Sequence, residues 1–166
     1  MKIIIRIVLL AALAALGVWL WMVLFPGPEK VIHRRLTELA GIASSSAGES
    51  DLARLAAARN LAGFFSTNVE MKVDLPRLGQ LSSMDRDEIT QLALAARMHA
   101  GGLQVRFPDI AVTVASDRQS AMADLTVTAH IDGEQDSFVQ EMKFTLQKID
   151  GKWLITGVET VRTLTR

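Results

Sequence analysis

Nineteen consecutive residues, Ile7 to Phe25, hold no charge and no proline, and Pro26-Gly27-Pro28 closes the run. At a helical rise of about 1.5 Å per residue, such a run covers most of a hydrocarbon core roughly 30 Å thick. Everything after Pro28 then has to fold as a unit hung from that segment. The expected division is residues 1–28, a transmembrane anchor with a short link, and residues 29–166, one soluble domain. A cleaved signal peptide fits less well: Met1 to Arg6 is short and basic, but signal cores run only about 7–15 residues, and no small-x-small cleavage site follows. Trp19 and Trp21 sit near the distal end of the run, where indoles favour the headgroup region. Lys2 and Arg6 flank one side; Lys30, Arg34 and Arg35 flank the other. A long downstream domain translocates largely regardless of its charge, so the short basic tail decides the orientation. The expectation is a single-pass inner-membrane protein, N-terminus cytoplasmic and C-terminal domain periplasmic in a Gram-negative cell.

Setting Lys2 and Arg6 aside, 16 basic residues face 18 acidic ones in the rest of the chain, a net of −2. That balance lacks the basic face that nucleic acid needs, so no nucleic-acid partner is expected. The chain has no cysteine, which excludes disulfides, thiolate chemistry and zinc ribbons. It also has no tyrosine.

Ile32, Leu36, Leu39 and Ala43 recur at helical spacing and predict a first helix after the link. Ser44 to Glu49 reads as a loop. Ser50 is placed to cap a second helix through about Ala62, with Leu52, Leu55 and Ala56 on its apolar side. Phe64 to Asp74 reads as a strand, with Pro76 and Gly79 as breakers. Asp85 and Glu88, three apart, have the form of a capping box. They open a third helix whose stripe is Ile89, Leu92, Ala93, Ala96 and Ala100, stopped by Gly101-Gly102. From Leu103 the period changes to two, giving four or five strands. Asp132-Gly133 turns the chain, and Asp150-Gly151 is a two-residue hairpin loop needing positive φ. The hairpin register puts Leu146 opposite Ile155 and Phe144 opposite Gly157. The alternation slips near Gly157, where Val158 and Val161 fall out of phase, and a bulge there would bend the sheet. The fold class expected is α+β: a curved antiparallel sheet whose apolar face wraps about three helices.

Three stretches carry a family likeness: the capped helix start Met84-Asp85-Arg86-Asp87-Glu88-Ile89, the hairpin from Ile110-Ala111-Val112-Thr113-Val114 to Ala121–Ala129, and the closing hairpin Phe144-Thr145-Leu146 through Asp150-Gly151-Lys152-Trp153-Leu154-Ile155. In that order they resemble the nuclear transport factor 2-like superfamily, the cystatin-like α+β roll, over roughly residues 29–165. The superfamily includes isomerases, dehydratases, polyketide cyclases, transport adaptors and membrane-anchored assembly components, so the fold leaves function open.

The resemblance implies two weak catalytic candidates. Asp74 lies where ketosteroid-isomerase-like members carry an aspartate base, but their oxyanion donor is a tyrosine, which this chain lacks. His99, at the edge of the third helix's stripe, is the other candidate. Against these stand the bland readings, a solvated aspartate and a histidine suited to a helix C-terminus. The family's habit of a cone-shaped cavity makes Phe65, Met71, His99, Phe107, Phe144 and Trp153 candidate pocket residues, against the prior that they are core. It also makes the outward sheet face, with Thr113, Thr126, Thr128, Glu141, Lys143 and Thr145, a candidate homodimer interface. His33 and His130 read as surface residues. No metal-ligand spacing, phosphate loop or nucleophile elbow appears, so neither metal nor cofactor is expected. The reading that follows is a membrane-anchored, non-enzymatic interaction or assembly domain that dimerises or docks a membrane protein partner. A binding module for a small apolar ligand or lipid is the alternative. An isomerase- or dehydratase-like enzyme comes after both.

Overall fold

The computed structural model describes residues 16–17, 27–75, 79–99, 101–133 and 137–161. The expected anchor lies outside the described residues except for Leu16 and Gly17, which are helical. Among the described residues, no helix is long and apolar enough to cross a membrane.

Helix α1 spans Pro28–Ala43, with proline in its first turn, where no backbone N–H is needed. It buries Ile32, Leu36, Leu39 and Ala40, a stripe at i, i+4, i+7 and i+8. Helix α2, Asp51–Ala62, is capped as expected: the Ser50 hydroxyl accepts the Ala53 N–H at 3.3 Å. Its buried face differs from the expectation. Ala58 and Ala62 are covered, whereas Leu52 is 78 % exposed. In a helix this rich in alanine the apolar pattern has little phase, and packing chooses the face.

Strand β1, Phe65–Leu75, pairs antiparallel with β2, Gly79–Asp85, a strand the sequence did not signal. β2 has no β-branched residue, and its pairing with β1 supplies what its propensity does not. The capping box is present: Glu88 N–H donates to Asp85 Oδ1 and Asp85 N–H to Glu88 Oε2, both at 2.8 Å. Helix α3, Arg86–His99, follows. Its buried residues are Ile89 and Arg97, eight apart, with Thr90, Ala93 and Leu94 half-buried between them. Leu92 and Ala96, expected on the stripe, are exposed.

The remaining strands are β3 Leu103–Arg106, β4 Ile110–Val114, β5 Ser120–Ile131, β6 Ser137–Ile149 and β7 Lys152–Thr160. The sheet runs β2-β1-β7-β6-β5-β3, with β4 also on β5. β3 and β4 thus share one edge of β5, β3 along Thr128–Ile131 and β4 along Ala121–Leu125. The sheet is mixed, not wholly antiparallel, because β1 and β7 are parallel. No tight turn links those two strands, so no local signal sets their direction. At the closing hairpin Asp150 and Gly151 have φ of 50° and 77°. Leu146 faces Ile155 as expected, but Thr145 takes Gly157 and Phe144 takes Val158. The extra residue, Thr156, is a bulge that returns Val158 to the buried face. Ile32, Leu36 and Leu39 meet Phe65, Val69, Val73, Ile89, Leu125, Phe144, Leu146, Trp153 and Ile155 in one core.

The turn between β4 and β5 is held by Asp117, whose carboxylate accepts the N–H groups of Gln119 at 2.8 Å and Ser120 at 3.1 Å. Those two donors hold its carboxyl below the usual carboxylate range. A lowered folded pKa contributes stability above the unfolded value, and that contribution is lost as pH falls through the folded one. Asp117→Ala is therefore expected to melt earlier than wild type at neutral pH. The gap should close in acid; a gap independent of pH would contradict this account.

Candidate functional site

The six residues expected to line an interior pocket divide. Phe65, Phe144 and Trp153 are 7 %, 5 % and 4 % exposed and belong to the core. Phe107, half-buried, meets Phe144 edge-on with ring centres 6.2 Å apart, and Met71 is half-buried against the same core. These five side chains pack into the interior. His99 does not join them. It is exposed at the last residue of α3, with Nδ1 2.8 Å from the Ala95 carbonyl, so that nitrogen carries the proton. Asp74 lies in β1 opposite Gln80, beyond Lys72, the last β1 residue in register with β7. β2 and the whole of α3 separate it along the chain from His99.

Open space lies beside the first turns of α1. One cleft, of about 680 Å³, is lined by His33, Pro108, Asp109, Ile110, Ala111, Asp124, Leu125, Met142 and Val161 among others. A second, of about 350 Å³, is lined by Glu29, Lys30, His33, Arg34, Ile110 and Val112. His33 and Ile110 belong to both, so the two form a continuous groove between α1 and β4. The position follows from the packing of α1 across β3 and β4, which leaves its polar first turns overhanging the β4 edge. The groove has an apolar side, from Ile110, Val112, Leu125 and Met142, and two charged ends. Lys30, His33 and Arg34, with the single acid Glu29, stand at one end; Asp109, Asp124 and Glu141 stand at the other, where Lys143 Nζ is 3.9 Å from Asp124 Oδ1. Among the described residues, no group of three histidine or acidic side chains is arranged to hold a metal.

The outward face of the sheet carries Thr113, Glu141 and Thr145 exposed and Thr126, Thr128 and Lys143 half-buried, as the strand period requires. Met122 and Val139, 48 % and 61 % exposed, add apolar area to it. His33 is exposed, as expected, while His130 is half-buried with Nδ1 3.3 Å from the Ser137 hydroxyl. The groove was not legible in the sequence. Its cationic end comes from helix positions that read only as a polar face, and nothing local says that β4 is an edge.

No protein-family model matches the sequence, and no curated protein matches it either. Solved structures do share its fold. A nuclear transport factor 2-like protein with a cystatin-like fold from Novosphingobium aromaticivorans is 18 % identical, with 89 % of this chain and 88 % of that chain covered and a TM-score of 0.58. A candidate scytalone dehydratase from the same species is 17 % identical over 81 % of this chain and 83 % of that chain, TM-score 0.58. A nuclear transport factor 2-like protein of unknown function from Pseudomonas putida is 8 % identical over 82 % of this chain and 87 % of that chain, TM-score 0.61. At these identities the likeness is one of fold: the chain has the nuclear transport factor 2-like architecture, a curved mixed sheet around three helices.

Proposed function

We propose that the chain is a membrane-tethered interaction domain: Ile7 to Phe25 holds it as a single-pass protein, and the roll docks a protein partner or a second copy on the extracytoplasmic side. The observation that carries this reading is the burial of three aromatic pocket candidates in the core. Phe65, Phe144 and Trp153 are packed in the core, while a groove lies open beside α1. An isomerase-like activity at Asp74 would also need a donor for the developing oxyanion, and the tyrosine that serves in the enzymes it resembles is absent from this chain. A binding module for a small apolar ligand is the second reading. It is favoured by the 680 Å³ cleft, whose size falls within the range of ligand sites, and by the dehydratase among the fold neighbours.

The full-length chain, taken from membranes in mild detergent, is measured by native mass spectrometry. A dimer or a complex with another protein, without added small mass, supports the interaction domain. A bound small molecule that stays until denaturation overturns it in favour of the second reading. Recovery of the chain in the soluble fraction of lysed cells would remove the tether. A C-terminal reporter active only in the cytoplasm would reverse the orientation.

A further inference from the structure

The ladder between β4 and β5 fixes which backbone groups of β4 are spent. Thr126 N–H donates to the Asp109 carbonyl at 3.2 Å, and Ala115 N–H to the Ser120 carbonyl at 2.9 Å. Bonded and non-bonded positions alternate along an antiparallel strand, so Asp109, Ala111, Thr113 and Ala115 are the residues bonded to β5. The N–H and C=O groups of Ile110, Val112 and Val114 point the other way, out of the sheet.

The neighbouring strand has the same outward groups, and there they are covered. Leu103 N–H donates to the Ser45 carbonyl at 2.9 Å, Ser45 N–H to the Leu103 carbonyl at 2.7 Å, and Val105 N–H to the Ser44 hydroxyl at 3.0 Å. The α1–α2 loop thus closes the edge along β3 and stops there. Along β4 no strand or loop among the described residues pairs with the edge. Its five residues, Ile-Ala-Val-Thr-Val, hold no charge, proline or bulge, the devices that usually blunt an edge. The groove lies alongside, with Ile110 and Val112 on one side and exposed Glu29, Lys30, His33 and Arg34 on the other.

We propose that β4 takes an extended peptide of a partner protein as an added strand, with an acidic side chain of that peptide turned toward Lys30 and Arg34. The added strand bonds to the outward groups of Ile110, Val112 and Val114, which supply affinity without regard to sequence. Alternate side chains of an extended peptide face α1, and Lys30 and Arg34, outnumbering the one acid there, Glu29, favour a carboxylate at one such position. Asp109, Asp124 and Glu141 lie at the far end of the groove and confine that preference to the Lys30–Arg34 end. A second copy fits less well, because two-fold pairing through β4 would bring together two α1 faces on which Lys30 and Arg34 outnumber Glu29. This inference rests on the interaction-domain reading above and adds the place and the chemistry of the partner.

The test uses the full-length chain in detergent and two end-blocked, fluorescein-labelled heptapeptides, one alternating valine with glutamate and one alternating valine with lysine. Anisotropy gives the affinities, and hydrogen exchange follows residues 110–114. The glutamate peptide is expected to bind about tenfold tighter than the lysine peptide and to protect the outward amides. Val112→Pro removes one outward N–H and leaves the β5 ladder intact, a change edge strands tolerate; it is expected to weaken the glutamate peptide about tenfold. If that variant does not fold, Lys30→Glu with Arg34→Glu serves instead. Acidic residues suit the start of a helix, and the pair should reverse the preference between peptides. Equal binding of both peptides, no binding by the folded chain, or affinity unmoved by these variants overturns the proposal. Self-association abolished by Val112→Pro would assign the edge to a second copy and overturn it as well. A protein neighbour still crosslinked in membranes when the peptides fail would leave the interaction-domain reading standing; no neighbour at all would remove that reading too.

Discussion

Arg97→Ala is expected to destabilise the domain by about 3–5 kcal/mol, the scale of breaking a buried ion pair by removing one partner. The Arg97 side chain is 3 % exposed and lies 2.8 Å from the Glu49 carboxylate, itself 23 % exposed. Its other terminal nitrogen, Nη2, donates to the Ile42 carbonyl and, at 2.9 Å, to the Ser44 carbonyl. Those carbonyls belong to the last turn of α1 and its cap, where backbone acceptors have no partner within the helix. One guanidinium therefore ties the end of α3 to the end of α1 and to the loop that covers the β3 edge. Alanine leaves two carbonyls without this donor and the Glu49 carboxylate with only the Ser46 N–H, at 3.2 Å. Arg97→Lys keeps the charge but lacks the planar fork that serves three acceptors, so it should recover only part of the loss. Urea unfolding followed by circular dichroism decides the matter. An alanine variant within about 1 kcal/mol of wild type would show the staple to be dispensable, since that is the net worth of one ordinary hydrogen bond.

Phe144→Ala is expected to cost a similar 3–5 kcal/mol and, unlike Arg97→Ala, to change what the domain binds. Phe144 is 5 % exposed in the centre of the sheet, between Ala123 on β5 and Val158 on β7, with Phe107 edge-on at 6.2 Å. Ala123 is too small to fill the space that truncation would leave. Cavities lined by apolar side chains stay dry and accept small aromatic molecules. The variant should thus be stabilised by benzene in a thermal melt while the wild type is not. Stabilisation of the wild type by benzene would show that its interior is already open, which is the premise of the small-ligand reading.

Part of this was readable residue by residue. The Asp85–Glu88 box, the Ser50 cap and the Asp150-Gly151 hairpin depend on groups within three or four positions of each other, so local chemistry decides them. The two-residue period after Leu103 marked β5 and β6 as strands for the same reason. Arg97 was half-legible. It lies eight residues after Ile89 on the buried face of α3, but its charge argued for the surface, and its acceptors come from α1 and the loop after it.

By itself the sequence determined the helix caps, the turns, the parity of the strands and an apolar N-terminal run long enough for a bilayer, because each is a property of neighbouring residues. The tertiary structure alone decided that β2 is a strand, that β1 runs parallel to β7, that Phe65, Phe144 and Trp153 are buried in one core, and that among the described residues the sheet edge is closed along β3 and unpaired along β4. Each of these depends on which segments meet across the fold. Packing free energy summed over the whole core settles that, and a short window of residues does not contain it.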